Sequence, residues 1–537
     1  LYKFYAWSMR PMLASRRKRW VFMLTTLVLL IASVSLFFLK VVPVKMLPFD
    51  NKNEFQVVID MPETATLEET AAVTKEIAAF VSTQDEVLNC QTYVGTSAPI
   101  SFNGLMRHYD LRKGENVADI QVNLTDKGDR SAQSHDIAKK MRKPIQEIAK
   151  RWGANAKVVE VPPGPPVLST IVAEIYGPDY QEQIRVARQI KAIFDQTEGM
   201  VDTDVFIEDD QTEIRFDVDK EKAMLRGVAP AKITENLRAA VSGKNVGVLH
   251  KENTLSPIPI QLELNNADKF SVEALKSLPV QNMQGQVVSL GDVTQVKEVI
   301  KEKSIWRKDQ KRVVMVAADL AGSLESPIYA MMDVNKKLEE IKLPSGYDLT
   351  VLNSSQPETE DNYSMKWDGE WQITYEVFRD LGIAFAVALI IIYLLIVGWF
   401  QSFMVPIVML TAIPLSLIGI VVGHWVMGAY FSATSMIGFI ALAGVMVRNS
   451  VLLIDFIDIR LKEGIPLTEA VIEAGAVRTL PIVLTAGTVV LGAIVILFDP
   501  LFQGLAISLM GGTITSTVLT LVVVPLLYYK MLRNKIK

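Results

Sequence analysis

Cysteine is almost absent from the 537 residues: Cys90 stands alone, which excludes an internal disulfide framework and any CxxC metal or redox pair. Histidine is scarce as well. His108, His135, His250 and His424 are scattered and no HExxH occurs, so a histidine metal site has little to build on. A basic excess is missing too: 55 Lys+Arg against 59 Asp+Glu leave a net charge of −4, which argues against nucleic acid as a partner. There is no phosphate-binding glycine loop, nucleophile elbow or convergent catalytic set, so no enzyme and no bound cofactor is expected.

The most telling scarcity is of charge. Six apolar windows, at 21–39, 382–398, 403–423, 433–454, 481–498 and 503–529, hold between them one charged side chain, Arg448. The rest of the chain carries charge at an ordinary soluble density. Each window is long enough, or nearly so, to cross about 30 Å of hydrocarbon as a helix. The expected fold is therefore a membrane bundle of six helices with a large α+β insert at 40–381, and a purely cytosolic protein is excluded.

Orientation follows from the flanks. Arg16-Arg17-Lys18-Arg19 precedes the first window and keeps the N-terminus (1–20) on the cytoplasmic side. Alternation then places the insert outside, and puts Arg460, Lys462, Arg478 and the tail at 530–537 inside. Trp367, Trp371 and Tyr375 stand where an interfacial aromatic belt is expected. Gly419 and Gly423 form a GxxxG, for which close helix packing is the plain reading.

The insert has globular texture. Phe55–Ile59 precedes a helical stretch at 66–81 opened by Thr66-Leu67-Glu68-Glu69, the spacing of a capping box. Ile171–Tyr176 precedes a helix at 179–196, alternating residues 214–219 precede one at 230–242, and Val313–Val316 precedes one at 326–341. Four strand–helix repeats predict split β-α-β modules with helices on one face of mixed sheets. The run Val161-Pro162-Pro163-Gly164-Pro165-Pro166 reads as a stiff connector between two of them. Acidic pairs such as Asp209-Asp210 and Asp217/Asp219 read as solvated faces.

Arg448 is the residue from which function is argued. A guanidinium stays protonated, and in mid-membrane it costs at least ~2.5–3.5 kcal/mol. No aspartate or glutamate lies in any of the six windows. Either Arg448 snorkels to the inner interface, or it neutralises carboxylates from another segment in a cluster that binds and releases protons. Asn449, Ser450, Arg478, Thr485, Thr513 and Thr517 are polar groups compatible with such a relay.

The order of Leu47-Pro48-Phe49-Asp50, Pro62-Glu63-Thr64-Ala65-Thr66, Asp217-Val218-Asp219-Lys220-Glu221-Lys222-Ala223, Arg448–Phe456 and Arg478-Thr479-Leu480-Pro481-Ile482 resembles the C-terminal half of a resistance–nodulation–division (RND) efflux permease. The resemblance covers nearly the whole chain. It implies a homotrimeric bacterial inner-membrane antiporter, driven by the proton-motive force and working with a periplasmic adaptor and an outer-membrane channel. It divides the insert into porter subdomains at 51–166 and at 167–205 plus 311–352, with a docking subdomain at 206–310. It maps a proton relay onto Arg448, Arg478 and Thr485, with Asn449 beside them, and leaves the proton-binding carboxylates in a missing N-terminal half; a chain beginning at Leu1 is expected to be partial. In the segment Gly95–Tyr109, Phe102, Leu105 and Met106 are candidates to line the substrate path. Scattered methionines place drug or amphiphile export first, a heavy-metal exporter second, and a non-transporting export or assembly role behind both.

Overall fold

The computed structural model describes residues 2–536 except 162–163, 165–166, 253, 255, 323–324, 340, 342 and 344–347, with side chains left out at 103 and 534–536. The prolines of the expected connector, Asn103's side chain and the last basic residues, Lys535 and Lys537, therefore fall outside the description. Among the described residues six helices are long and apolar enough to cross a membrane: Arg16–Phe38, Glu370–Phe400, Met404–Met427, Ala433–Lys462, Leu467–Ile496 and Gln503–Arg533. They overrun the apolar windows because helical hydrogen bonding continues into polar flanks. The fourth is started by a Ser432–Ser435 capping box and ends only past Arg460. The third is broken at Thr411 and Ser416, either side of Pro414, whereas Pro481 and Pro525 lie inside unbroken helices.

Small residues set how these helices meet. The sixth helix packs on the third, fourth and fifth. A Cβ at Gly419 would overlap Thr515 and the Gly511 carbonyl, and one at Gly512 would strike Leu442 and Ile420. A further helix, Tyr2–Ala14, buries Met9 and Leu13, and its Tyr5 hydroxyl donates to the Leu521 carbonyl at 2.7 Å.

The first α/β module runs strand Glu54–Asp60, helix Leu67–Val81, strands Val87–Thr96 and Lys113–Leu124, helix Ser134–Arg151 and strand Asn155–Val159. Its four-stranded sheet is antiparallel throughout, with the 113–124 and 54–60 strands central. Thr66 and Glu69 cap the first helix reciprocally. Phe55, Val57, Ile59, Ala118, Ile120, Ala156 and Val158 share one face and bury against both helices. Period two then forces Gln56, Val58, Asp60, Asp119 and Lys157 onto the other face.

The second module has a five-stranded sheet ordered 350–352, 364–369, 171–176, 314–320, 200–205, of which only the first pair is parallel. Helices Tyr180–Asp195 and Pro327–Leu338 cover its apolar face. The strand Ser364–Gly369 carries this sheet beyond the boundary expected at 352 and leads directly into the second apolar helix. That placement corrects the aromatic belt: Trp367 is fully buried, stacked on Phe194 with centroids 6.1 Å apart, and its indole donates to Asn335 at 2.9 Å.

Residues 208–304 form a separate compact unit. Within it, Thr212–Val218 pairs antiparallel with Thr294–Ile300, and a small core gathers Ala223, Ile233, Val280 and Leu290. The third strand–helix repeat thus belongs to a different architecture from the other three. Asp217 bonds Lys297 and Asp219 caps the next helix, surface roles as expected.

Replacing Gly419 by Ala is expected to destabilise the bundle by about 1–3 kcal/mol, whereas Gly398→Ala, where a Cβ meets nothing within 4 Å, should be nearly neutral. Thermal unfolding of the two variants in detergent checks the contrast.

Candidate functional site

Two features of the chain carry unusual chemistry. The first is on the fourth apolar helix. Its buried side packs Leu442, Met446, Ser450 and Leu453, while Ile437, Ala441, Gly444, Arg448, Leu452 and Ile459 are exposed at helical spacing along one stripe. Arg448 sits mid-stripe, and among the described residues no ion pair or hydrogen bond to it is recorded. A Cβ at Gly444 would meet nothing within 4 Å. The stripe is thus an apolar face, small at Ala441 and Gly444, with one fixed positive charge. Asp455, two turns on, shares it half-exposed.

The other sequence-derived relay residues do not gather round Arg448. Asn449 is 6% exposed and turns inward, away from the stripe. Arg478 lies over Phe456 at 5.0 Å, a ring eight residues, about 12 Å, further along the helix. Thr485 stands about 10 Å back along the antiparallel fifth helix, near the level of Arg448, and its hydroxyl donates to the Pro481 carbonyl at 2.9 Å. The sixth helix buries Ser508, Thr513, Ser516, Thr517 and Thr520. Of these the Ser508, Thr513 and Thr520 hydroxyls, like Ser450 on the fourth helix, have no hydrogen-bond partner among the described residues. A polar seam inside the bundle results.

The second feature lies between the two α/β modules. Their facing sides are joined by ion pairs: Arg107–Asp319 at 2.8 Å, Arg142–Asp202 at 2.9 Å and Lys157 to Asp204. Lys157 also reaches Asp60 at 2.9 Å, and Arg112 bridges Asp60 and Asp119. Asp319 accepts further bonds from the Ser169 hydroxyl at 2.7 Å and from the Thr170 amide and hydroxyl, both at 3.0 Å. Asp202 stands in left-handed backbone (φ 54°) where the register of its strand shifts, a bulge that aims its carboxylate at the first module. Burial pushes the Asp60 carboxyl up, but Lys157 and Arg112 outweigh it and hold the group at about 2. Burial likewise opposes ionisation of Asp319, and Arg107 with the surrounding donors holds it well below the usual range. At Asp119 and Asp202 burial prevails and the carboxyls are raised.

Sequence reasoning missed these carboxylates. The usable signal was a charge interrupting an apolar strand: Ala118-Asp119-Ile120, Ala318-Asp319-Leu320 and Ile59-Asp60-Met61. The segment singled out instead forms a short helix, Phe102–Arg107. Phe102 and Leu105 are 45% and 53% exposed and Met106 is half-buried, so these apolar side chains do not line the sealed junction; Arg107 is the buried member.

Six apolar helices interrupted after the first by paired α/β modules define the fold of an RND permease. A family model described as the AcrB/AcrD/AcrF family matches residues 3–532, and the chain belongs to that family. It is 27% identical over 363 residues to the swarming motility protein SwrC of Bacillus subtilis, covering 66% of this chain and 32% of SwrC. It is 25% identical over 372 residues to the cobalt-zinc-cadmium resistance protein CzcA of Cupriavidus metallidurans (67% and 33% covered). The nickel-cobalt-cadmium resistance protein NccA of Alcaligenes xylosoxydans xylosoxydans is 28% identical over 383 residues (69% and 34%). A crystal structure of a heavy metal efflux pump superposes with a TM-score of 0.78 at 20% identity, over 98% of this chain and 51% of that one. The chain thus spans about half of that pump and a third of the curated relatives.

Arg107→Ala would leave the buried Asp319 without its counter-ion, and a loss of about 3–5 kcal/mol of stability is expected. The depressed carboxyls contribute fully above the unfolded carboxylate pKa of ~4. The Asp60 share is lost as pH falls from there toward about 2. Thermal unfolding between neutral pH and pH ~3 should therefore show a steeper acid decline in the wild type than in Asp60→Asn.

Proposed function

We propose that this chain is the C-terminal half of a proton-driven RND efflux transporter of the bacterial inner membrane. The two α/β modules act as periplasmic porter subdomains of split β-α-β type, and residues 208–304 as a docking subdomain. A homotrimer, a periplasmic adaptor and an outer-membrane channel complete the machine, as the family resemblance implies. One observation carries the reading: a permanent cation, Arg448, mid-way along an exposed stripe that is apolar apart from the half-exposed Asp455 two turns on, and whose small neighbours Ala441 and Gly444 leave room for another helix. A second half that brings carboxylates to this face would neutralise Arg448 when ionised. When protonated, they would leave it uncompensated, so proton binding and helix position become linked. Arg448 itself cannot give up the proton.

For the substrate, the order expected from the sequence is reversed. Two of the relatives are named for resistance to cobalt, zinc, nickel or cadmium, and the junction between the modules presents Asp60, Asp119, Asp202, Asp204 and Asp319 rather than an apolar pocket. Divalent metal cations are therefore the first substrate class: carboxylates now held by the protein's own arginines and lysine would be released to a cation when the modules part. Amphiphile export is the second reading, favoured by the exposed Ile100, Phe102, Leu105 and Leu111. It also fits that no group of three or more His, Cys, Asp or Glu fit to hold a metal occurs among the described residues.

Inverted vesicles carrying the full-length transporter should take up Zn²⁺ or Co²⁺ when acidified inside, and Arg448→Ala should lower this at least ~tenfold, with partial activity in Arg448→Lys. Uptake of ethidium without either metal would select the second reading; gradient-independent behaviour of every probe would sink the transport proposal.

A further inference from the structure

The Glu325 carboxylate is buried where three parts of the chain meet. It sits immediately before the helix Pro327–Leu338 of the second module. From the first module it is reached by His135 Nε2 at 2.9 Å and Lys139 Nζ at 2.6 Å, and from the segment after the first apolar helix by Lys45 Nζ at 3.6 Å. Lys45 is 2% exposed. Its ammonium lies 4.3 Å from the Phe49 ring and 5.5 Å from that of Tyr430, and Phe49 in turn stacks on His135 at 4.3 Å. His135 Nδ1 is held by Glu160 at 2.8 Å. A single carboxylate thus holds cations from two other bodies, and both of its oxygens are used.

The Lys45 arm leads straight to the fourth apolar helix. The Lys45 amide donates to the Phe431 carbonyl at 3.2 Å, the Phe431 amide to Pro43 at 2.9 Å and the Ala433 amide to Met46 at 2.9 Å. Residues 43–46 are therefore pinned to the two residues either side of the Ser432 cap, and a helix is rigid along its axis. The Ser326 hydroxyl adds a second tie, to the Val44 carbonyl. A half-open cleft of about 320 Å³ lies against Lys45, His135, Lys139, Glu325 and Tyr430, so the long side chains have room to move.

We infer that Glu325 is the joint through which displacement of the fourth apolar helix, the one bearing Arg448, is passed to both α/β modules at once. The inference rests on the transport reading above. Lys45 is the membrane-side arm, and His135 with Lys139 is the arm to the first module. All act as positioning residues, remote from substrate. The charges facing His135 are those of Glu160, Glu325, Lys139 and Lys45. Burial pushes the imidazole down, but the two carboxylates outweigh it and raise it to about 9, while Glu325 is held at about 2. The imidazole and the carboxylate thus hold each other charged, and Glu370 is a further titratable carboxyl that acts on Lys45 and Glu325. The His135 contribution is complete below ~6.5 and is lost as pH rises through about 9.

The test uses the full-length transporter in liposomes, with Zn²⁺ and ethidium as probes and a pH-sensitive dye reporting proton flux. Lys45→Gln cuts the membrane arm and leaves His135 and Lys139 on Glu325; Glu325→Gln weakens all arms. Both are expected to bind the transported probe within ~twofold of wild type yet to lose at least ~tenfold in gradient-driven uptake, with proton flux no longer accelerated by the probe. Lys45→Arg should restore coupling. Wild-type coupling in Lys45→Gln would overturn the joint alone, and so would uncoupling in a stably folded Lys45→Arg. Absence of gradient-driven uptake of either probe in the wild type would overturn the transport reading and the joint with it.

Discussion

A positive charge that cannot be shed by deprotonation stands in the middle of an apolar helix, and the arrangement of the bundle has to answer for it. Insertion of such a group costs at least ~2.5–3.5 kcal/mol, so a fold that keeps it on an open stripe needs that stripe covered. The neighbours on the stripe are Ala441 and Gly444, which let another backbone come close. The opposite side of the same helix is closed by the sixth helix, where Gly512 lies against Leu442 and Gly438 against Ser508 and Leu505, so small residues on one helix seat larger ones of the other.

The modules outside the bundle solve a related problem. Their sheets follow a strict alternation in which one face goes to the helices and the other to the neighbouring module. Covering that second face with Val or Ile would weld the modules together. Covering it with Asp60, Asp119, Lys157 and their partners gives a junction whose net stabilisation is small, because desolvation offsets much of the attraction, yet whose register is exact, because each charge has a designated mate. A seam of this sort opens at moderate cost if water or a cation replaces the lost partner. The transport reading and the metal reading therefore draw on the same residues.

Much of this was legible in the amino-acid order. Hydropathy located the six long helices, Thr66-x-x-Glu69 announced its helix, and Arg448 stood out as the one charge in six windows. The rest was hidden for identifiable reasons. Helix Ser134–Arg151 is rich in charge and contains Pro144, so it reads as polar sequence although Ile137, Met141 and Ile145 mark a sharp apolar stripe. Trp367 looked like an interfacial aromatic because sequence distance to a membrane helix does not distinguish a belt from an adjoining strand. The pairing of Arg107 with Asp319 spans 212 positions, and nothing local in either half announces the other. Phe102 and Leu105 drew attention as apolar residues in a loop, whereas the residue beside them, Arg107, is the one the fold buries.

The two unusual features are linked by backbone, which bears on how a proton bound near one could be felt at the other. Arg448 lies sixteen residues, about 24 Å, from the Ser432 cap, far beyond contact with the groups there, and direct electrostatic influence falls with distance. A rigid helix has no such decay. Its N-terminus is hydrogen-bonded to residues 43–46, those residues carry Lys45, and Lys45 meets the carboxylate that both modules share. Coupling by this route needs no chain of altered side chains between the sites; it needs a stiff element with two positions and an end anchored to something that must follow. Ligand at the module junction would then bias the helix as strongly as the proton biases the junction, because the coupling free energy is the same read from either end.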